Sequence, residues 1–232
     1  MAKNKKKLLM NTKRKLVTKT DPKSPISEQY KTIRTNINFS SVDREIRSLL
    51  VTSAGPGEGK STTAANLAVV FAQQGKKVLL VDSDMRKPTA HYTFNLTNTF
   101  GLTTVLTKQH TLSEVTNPSD VENLDILTCG PVPPNPAELM SSKAMEHFLV
   151  EAYQAYDLLI FDTPPILAVT DAQVLANQVH GTVLVVSSGT TEIDSAVKAK
   201  DLLSSTKGKL LGVVLNNREV KDTSYYYYYG KK

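Results

Sequence analysis

The stretch "SLLVTSAGPGEGKST", residues 48–62, decides the fold of this chain. It begins with apolar and small residues that do not alternate with charged ones, a pattern typical of a strand covered on both faces. Three glycines at alternate positions follow, and then a Lys-Ser-Thr run with good helix-forming residues behind it. The stretch therefore predicts a buried strand, a tight glycine-rich turn and a helix, in that order.

The turn Ala54–Thr62 matches the phosphate-binding loop, except that Ala54 replaces the usual first glycine. Glycines let the backbone curl so that several N–H groups face one anion, and the following helix adds its positive end. Lys60 is expected to reach the β- and γ-phosphates, and the Ser61 hydroxyl to hold Mg²⁺. An ordinary tight turn is the weaker interpretation, because the motif stands between a predicted strand and a predicted helix. The loop residues predicted to bind ATP are Gly55, Gly57, Glu58, Gly59, Lys60, Ser61 and Thr62.

The rest of the chain alternates apolar runs with helical stretches. Strands are predicted at 48–54, 77–84, 124–130, 156–165, 182–188 and 210–217, and helices at 24–40, 60–74, 137–153, 171–177 and 193–204. Strands that read as continuous Val, Leu and Ile runs, separated by helices, predict a doubly wound, mainly parallel α/β sheet with helices on both faces. We therefore expect a P-loop NTPase-like fold that binds its ligand at the carboxyl ends of the strands.

Three carboxylates are predicted at that edge. Asp82 and Asp84 end the second predicted strand and would share one side if the strand continues, and Asp162 ends the fourth. Together with Ser61 and phosphate oxygens, they would offer the oxygen ligands that Mg²⁺ prefers. Strand-end turn formers are the alternative interpretation of the pair. The four histidines and Cys129 show no metal-ligand spacing, so we predict no zinc site.

Charge is unevenly distributed along the chain. Residues 1–23 carry nine Lys or Arg and one Asp, a net charge of +8, whereas the remainder carries 19 basic and 21 acidic residues, a net charge of −2. A near-neutral body argues against a nucleic-acid-binding fold, and no nucleic acid is expected as a partner. We expect residues 1–23 to form a flexible arm that either is simply solvated or touches an anionic membrane leaflet.

The composition indicates in which cellular environment the protein is expected. One cysteine excludes a disulfide framework and favours a reducing environment. The longest apolar run, residues 67–72, is too short to cross a bilayer, and the N-terminus lacks the apolar core of a signal peptide.

The C-terminus, "SYYYYYGKK", places a tyrosine cluster after the last predicted strand. If that strand is parallel to the first, the seven residues 218–224 let the cluster reach roughly 26–29 Å from the ligand edge. A sticky, β-prone end is the bland alternative. At the same strand end, Asn216, Asn217 and Arg218 are expected either to line the adenine pocket or to form a polar turn.

Three motifs together, "AGPGEGKST", "LLVDSDMR" and "LLIFDTPP", resemble the Walker A, A′ and B motifs of bacterial tyrosine kinases of the capsular-polysaccharide type. "SEQYKTIRTNINFS" looks like the interface helix of that family, and "CGPVPPNPAELM" like its proline-rich segment. The family's Glu-x-x-Arg-x-x-Arg pattern reads Glu28, Lys31 and Arg34 here. Lysine keeps the charge but loses the planar fork, so the resemblance implies self-association of altered strength.

The resemblance implies an ATP-dependent protein-tyrosine kinase with Mg²⁺ as cofactor. Lys60, Asp82, Asp84 and Asp162 would be catalytic, with Ser61, Asp84 and Asp162 at the metal and Asp82 beside the incoming tyrosine, although which aspartate is the base stays open. The implied phosphoacceptors are Tyr225, Tyr226, Tyr227, Tyr228 and Tyr229. Residues 24–217 would form the kinase domain, with 24–40 as the interface helix and 218–232 as a flexible tail.

The resemblance also implies partners and a place in the cell. They are a transmembrane adaptor with an activating cytoplasmic segment, a ring-shaped homo-oligomer and a cognate phosphotyrosine phosphatase. The kinase would act in the cytoplasm at the inner face of the membrane and regulate capsular or exopolysaccharide synthesis and export. The alternative activity is that of a partition- or positioning-type ATPase, which shares the motifs but usually has a lysine where this chain has Gly55.

Overall fold

A computed structural model describes residues 15–40 and 45–219 of the chain. Seven strands form one sheet in the order β3-β4-β2-β5-β1-β6-β7, parallel throughout except for the antiparallel pair β3–β4. The strands are β1 Ser48–Ser53, β2 Val78–Asp82, β3 Asn117–Pro118, β4 Leu124–Leu127, β5 Leu158–Asp162, β6 Gly181–Ser187 and β7 Lys209–Asn216. The predicted fold class is confirmed.

Helices cover both faces of the sheet. They are α1 Val17–Thr20, α2 Pro25–Phe39, α3 Lys60–Ala72, α4 Ala90–Phe94, α5 Leu102–Leu106, α6 Leu112–Val115, α7 Pro136–Met140, α8 Lys143–Ala155, α9 Asp171–Ala176 and α10 Ile193–Ser204. Apolar residues of α1 to α3 pack on one face, and those of α5 to α10 pack on the other.

Two-sided burial explains the strand composition. In β1, Leu50 faces the α5–α10 side, whereas Leu49 and Val51 face the α1–α3 side, and all three are fully buried. Because successive side chains point to opposite faces, a strand between two helical layers needs apolar residues at every position.

The order of the central strands positions the site. β2, β5 and β1 are neighbours, with Asp82 directly beside Asp162 in the parallel register. The glycine-rich loop leaves the end of β1, so the loop and both carboxylates meet at one edge of the sheet. We call this edge, where β1, β2, β5, β6 and β7 end, the carboxyl edge.

Some elements differ from the sequence predictions. The helix predicted at 137–153 is two helices, α7 and α8. The first ends at Met140, and Ser142 then caps α8 by accepting a hydrogen bond from the Met145 amide. The helices α4, α5 and α6 and the two-residue strand β3 were not predicted. All four are short, and a segment of two to five residues is too brief to show a periodic apolar pattern.

The structure also differs from the expected arm over residues 1–23. Residues 15–23 belong to the folded body, since Leu16 and Thr18 are buried and α1 packs on α3. Asn66 of α3 accepts hydrogen bonds from the backbone N–H and the hydroxyl of Thr18, and donates to the Lys15 carbonyl. The helix α1 was not predicted from the sequence, because the charge of the clustered lysines dominates the local composition. Residues 1–14 lie outside the described part.

Across residues 15–40 and 45–219, no helix combines the length and apolar character that a bilayer crossing requires.

Candidate active site

The glycine-rich loop has the backbone that its sequence demands. Gly57 and Gly59 adopt φ values of +79° and +97°, which L-residues with a side chain rarely tolerate. A Cβ on Gly59 would also lie 2.0 Å from Nδ2 of Asn216, whose amide donates to the Glu58 carbonyl at 3.0 Å. The end of β7 therefore packs directly on the loop, and Gly59 is required there by both conformation and space.

Glu58 is the loop residue whose position is less expected. It is buried, and its Oε2 accepts a hydrogen bond from the Ala54 amide at 3.1 Å. A carboxylate that closes the loop in this way offers no donor to a phosphate. Its side chain therefore braces the start of the loop, and only its backbone belongs with the phosphate-facing groups.

Lys60 lies at the centre of the site. Its Nζ is 3.1 Å from Ser61 Oγ, 3.3 Å from Asp84 Oδ2 and 3.5 Å from Asp162 Oδ1. Burial lowers the pKa of Lys60, but the charges of Asp162 and Asp84 outweigh that effect and raise it overall. The ammonium group is thus held in its charged form at the place where phosphate oxygens would approach.

Ser61 and Asp162 form the second contact of the cluster. The Ser61 hydroxyl donates to Asp162 Oδ1 at 2.8 Å, and both residues are buried. The pair joins the first turn of α3 to the tip of β5, and it offers a hydroxyl and a carboxylate oxygen side by side.

This donor set fits Mg²⁺. No group of three or more His, Cys, Asp or Glu side chains is arranged as a metal site among the described residues. Mg²⁺ at a phosphate loop does not need such a group, because it takes one or two carboxylates, phosphate oxygens and waters. Ser61, Asp162 and Asp84 supply only oxygen atoms, which suits a hard cation.

Asp84 is positioned by the loop that follows β2, residues 83–89, which we call the A′ loop. Its Oδ1 accepts hydrogen bonds from the backbone N–H groups of Arg86 and Lys87 at 3.3 and 3.0 Å. Its Oδ2 faces Lys60. The carboxylate is therefore oriented from behind by the loop and directed toward the ammonium group.

Asp82 has a different environment from the one predicted. It is fully buried, its Oδ2 accepts from the Thr89 and Ala90 amides at 2.8 Å each, and its Oδ1 accepts from the Asp84 amide at 3.3 Å. These bonds curl the chain away from the strand direction, so β2 ends at Asp82 and the two aspartates do not share one strand face. Asp84 and Asp162, whose oxygens lie 3.3 and 3.5 Å from Lys60 Nζ, therefore remain the carboxylates considered for the metal.

The buried position raises the pKa of Asp82 to about 7. Desolvation is the main cause, and the negative charge of neighbouring Asp162 adds to it, while the amides of Ala90 and Thr89 oppose it. Asp82 therefore changes its protonation state near neutral pH.

The three residues predicted at the adenine pocket separate in the structure. Asn216 contacts the loop as described above, whereas Asn217, at φ 55°, donates to the Ser187 hydroxyl at 3.0 Å. Arg218 is exposed. Asn216 alone is thus tied to the phosphate loop itself, and Asn217 links β7 to the end of β6.

The predicted interface residues lie on α2, away from this cluster. Lys31 Nζ is 2.8 Å from Glu28 Oε1 on the same helix, and Arg34 Nη1 donates to the Val70 carbonyl at 2.7 Å. Within the single chain Lys31 is therefore paired with Glu28 and Arg34 with a backbone carbonyl, whereas the buried Nε of Arg34 has no hydrogen-bond partner among the described residues. The predicted phosphoacceptors, residues 225–229, lie outside the described residues.

Two site features were missed by the sequence reasoning. The guanidinium of Arg86 forms a two-point ion pair with Asp171, the first residue of α9. The amides of Thr89 and Ala90 hold Asp82. Arg86 stands two residues after Asp84 in the A′ motif, which was a signal, but only the fold brings Asp171 to it.

Comparisons with known proteins agree with this geometry. Residues 46–192 match the AAA domain family. The tyrosine-protein kinase YwqD of Bacillus subtilis is 59% identical over 219 residues, which cover 94% of this chain and 92% of that protein. The crystal structure of the chimerical protein CapA2B2 has a TM-score of 0.85 at 46% identity, covering 89% of this chain and 92% of that one. The kinase domain of the Escherichia coli tyrosine kinase ETK has a TM-score of 0.84 at 32% identity, covering 92% and 85%.

The fold and site thus define a P-loop nucleotide-binding protein. More narrowly, the chain belongs to the bacterial tyrosine kinases of the capsular-polysaccharide type. It is a protein-tyrosine kinase that transfers a phosphoryl group from ATP to tyrosine. Family membership decides between the two activities that share the three motifs.

Proposed function

We propose that this kinase phosphorylates the tyrosines of its own C-terminal tail, residues 225–229, in trans within an oligomer, and thereby regulates capsular or exopolysaccharide synthesis and export. The observation that carries the proposal is the position of β7. Its last residue, Asn216, donates to the Glu58 carbonyl of the phosphate loop. The tail therefore starts beside the nucleotide site.

The charged cluster suits phosphoryl transfer, which depends on positioning and charge neutralisation more than on covalent chemistry. Lys60, held charged by Asp84 and Asp162, would stabilise the negative charge of the transferred group. The amides of the glycine-rich loop would hold the remaining phosphate oxygens. Mg²⁺, held by Ser61, Asp162 and Asp84, would neutralise charge on the β- and γ-phosphates when bound.

The incoming tyrosine also needs an acceptor for its proton. Asp82 suits this role at neutral pH because its pKa is about 7. Its burial means that the A′ loop has to move before the hydroxyl reaches it. Since phenol has a pKa near 10, proton transfer would come late, as the new bond forms.

The tail has enough length for this role. Residues 218–224 separate Asn217 from Tyr225, a span of at most roughly 26–29 Å when extended. That distance reaches beyond the chain's own site, so a neighbour's site is accessible if subunits pack side by side. Residues 15–217 would then form the catalytic body, and 218–232 its substrate tail.

The proposal also includes the partners of the kinase. Glu28, Lys31 and Arg34 on α2 would exchange their contacts within the chain for contacts between subunits of a ring. A transmembrane adaptor would bring the kinase to the inner face of the membrane and activate it, and a phosphotyrosine phosphatase would reset the tail. The basic residues 1–14 would add attraction to an anionic leaflet.

A two-component experiment tests tail phosphorylation and its trans character. Lys60→Met supplies an inactive kinase with an intact tail, and replacement of residues 225–229 by phenylalanine supplies an active kinase without acceptors. The two are mixed with Mg-ATP and an adaptor's cytoplasmic segment, and phosphotyrosine is mapped by mass spectrometry. We expect phosphate on the Lys60→Met tail only when both proteins are present.

The outcomes separate the parts of the proposal. Phosphate on the wild-type tail but never on the Lys60→Met tail would make the reaction intramolecular. A wild-type tail without phosphate would contradict the proposal altogether. Tyr92→Phe is the matched control, since this exposed tyrosine lies in the folded body and its loss should leave tail labelling unchanged.

A further inference from the structure

Arg86 and Asp171 form a two-point ion pair beside the active site. Arg86 Nε lies 2.8 Å from Asp171 Oδ2, and Nη2 lies 3.1 Å from Oδ1. This is the parallel fork that arginine makes with a carboxylate, and lysine cannot reproduce it. The pair joins the A′ loop to the first residue of α9.

The two partners are not equally exposed. The Asp171 side chain is 1% exposed, whereas the Arg86 side chain is 44% exposed. A carboxylate that is so completely removed from water is costly unless it is paired and hydrogen-bonded. The position of Asp171 is set by the packing of α9, so Asp171 is the fixed partner and Arg86 is the residue that it holds in place.

Arg86 transmits this constraint to the cluster through its backbone. Its N–H donates to Asp84 Oδ1 at 3.3 Å, and the next amide, that of Lys87, donates to the same oxygen at 3.0 Å. The other oxygen of Asp84 is 3.3 Å from Lys60 Nζ. A continuous chain of contacts therefore runs from α9 through Arg86 to the carboxylate that faces the phosphate site.

We propose that Arg86 and Asp171 are positioning residues that fix the Asp84 carboxylate, and thereby set how strongly Mg²⁺ strengthens nucleotide binding. The proposal rests on the role given above to Asp84 at the metal. In this role neither residue has to touch the nucleotide. They act by fixing the position of the Asp84 carboxylate, as residues that hydrogen-bond to metal ligands commonly do.

The test measures binding instead of turnover. The dissociation constant of ADP is determined by isothermal titration calorimetry with Mg²⁺ and with EDTA, and the ratio of the two constants reports the coupling. We expect Arg86→Lys and Asp171→Asn to reduce this ratio by about tenfold, in line with other partners of metal ligands. The affinity for metal-free ADP should change less than about twofold, because the glycine-rich loop is untouched; tenfold corresponds to about 1.4 kcal/mol.

Two variants provide the reference points. Asp84→Asn removes the positioned carboxylate and should reduce the ratio at least as much as either variant of the pair. Asp201→Asn removes an exposed carboxylate 3.1 Å from Lys200 on α10 and should change nothing. If Asp84→Asn leaves the ratio unchanged, the metal role of Asp84 is wrong. If it lowers the ratio while Arg86→Lys and Asp171→Asn do not, only the positioning role fails.

A purely structural role would give another pattern. It would lower the melting temperature and weaken metal-free ADP binding together, without a selective effect on the Mg²⁺ ratio. Arg86→Gln would be the variant at greater risk of misfolding, because it would leave the buried Asp171 carboxylate without its cation. Arg86→Lys, which keeps the positive charge, and Asp171→Asn, which leaves only a half-exposed arginine unpaired, therefore decide, and an unchanged ratio in both would overturn the proposal.

Discussion

Ser61 Oγ donates a hydrogen bond of 2.8 Å to Asp162 Oδ1, across 101 residues of sequence. The contact places the first turn of α3 against the tip of β5, and it brings the two oxygen atoms expected at the metal to neighbouring positions. Because the hydroxyl gives only its hydrogen to this bond, the lone pairs of the Ser61 oxygen remain available to a cation. Position 61 therefore requires a hydroxyl group, and a small residue without one would not replace serine.

The first prediction concerns that hydroxyl. Ser61→Ala should raise the Mg²⁺ concentration for half-maximal kinase activity by about tenfold or more, because one metal ligand is lost. Ser61→Thr keeps the oxygen and should stay within about threefold of the wild type. The measurement is tail phosphorylation across a Mg²⁺ titration. Equal Mg²⁺ dependence in both variants would show that the hydroxyl does not serve the metal.

The second prediction concerns Lys60. Lys60→Met should lower the rate of tail phosphorylation by at least about 100-fold, since a positioned charge on the transferred group is removed. Because it also leaves Asp84 and Asp162 without their shared cation, the variant should not gain stability. Lys200→Met, a change of an exposed lysine on α10, is the control and should keep full activity. Near-normal labelling by Lys60→Met would remove the lysine from the reaction.

The third prediction separates backbone strain from crowding in the glycine-rich loop. Gly57 and Gly59 both have positive φ, but only at Gly59 would a Cβ meet Asn216, while nothing lies within 4 Å at Gly57. Gly57→Ala should therefore cost about 1–2 kcal/mol in unfolding free energy, and Gly59→Ala clearly more. Adding Asn216→Ala to Gly59→Ala should recover part of that difference. Urea denaturation of the wild type, the three single variants Gly57→Ala, Gly59→Ala and Asn216→Ala, and the double variant makes the measurement, and a strictly additive double variant would disprove the clash.

The order of the central elements could be predicted from the sequence, because a strand that is buried on both faces consists of a continuous run of apolar residues. The sequence also predicted the loop, Asp84 and Asp162, since strand ends in a parallel sheet share one edge. It could not predict that Asp82 is buried, because its partners are the backbone amides of Thr89 and Ala90 and carry no side-chain signal. Asp171 was missed for a similar reason, since its position beside Arg86 depends on how α9 packs.

The fourth prediction concerns pH and Asp82. The pKa of this carboxyl is about 7 in the folded protein and about 3.9 in an unfolded chain. The folded state therefore binds more protons between these values, so this group contributes stability at low pH that is lost as pH rises through 7. Between pH 5.5 and 8, the nucleotide-free wild type should lose roughly 2 kcal/mol of unfolding free energy relative to Asp82→Asn.

Denaturant unfolding of both proteins at several pH values makes that measurement, and the difference between them cancels the titrating groups that do not interact with Asp82. A pH-independent difference would mean that Asp82 titrates normally in the folded state. Asp82→Asn keeps an oxygen for the Thr89 and Ala90 amides, which makes it the least disruptive replacement available.

The fifth prediction tests whether residues 15–23 belong to the folded body. The fully buried side chain of Asn66 makes three hydrogen bonds to this segment, two with Thr18 and one with the Lys15 carbonyl. Asn66→Leu should cost about 2–4 kcal/mol, because buried backbone and hydroxyl groups lose their partners. It should also release the segment, so that trypsin cleaves after Lys15 and Lys19 faster than in the wild type. Gln73→Ala is the graded control: the exposed Gln73 makes one bond of 3.1 Å, to the Thr18 carbonyl, and its loss should cost about 1 kcal/mol or less. If Asn66→Leu leaves trypsin cleavage at these lysines unchanged, the segment is not held by Asn66.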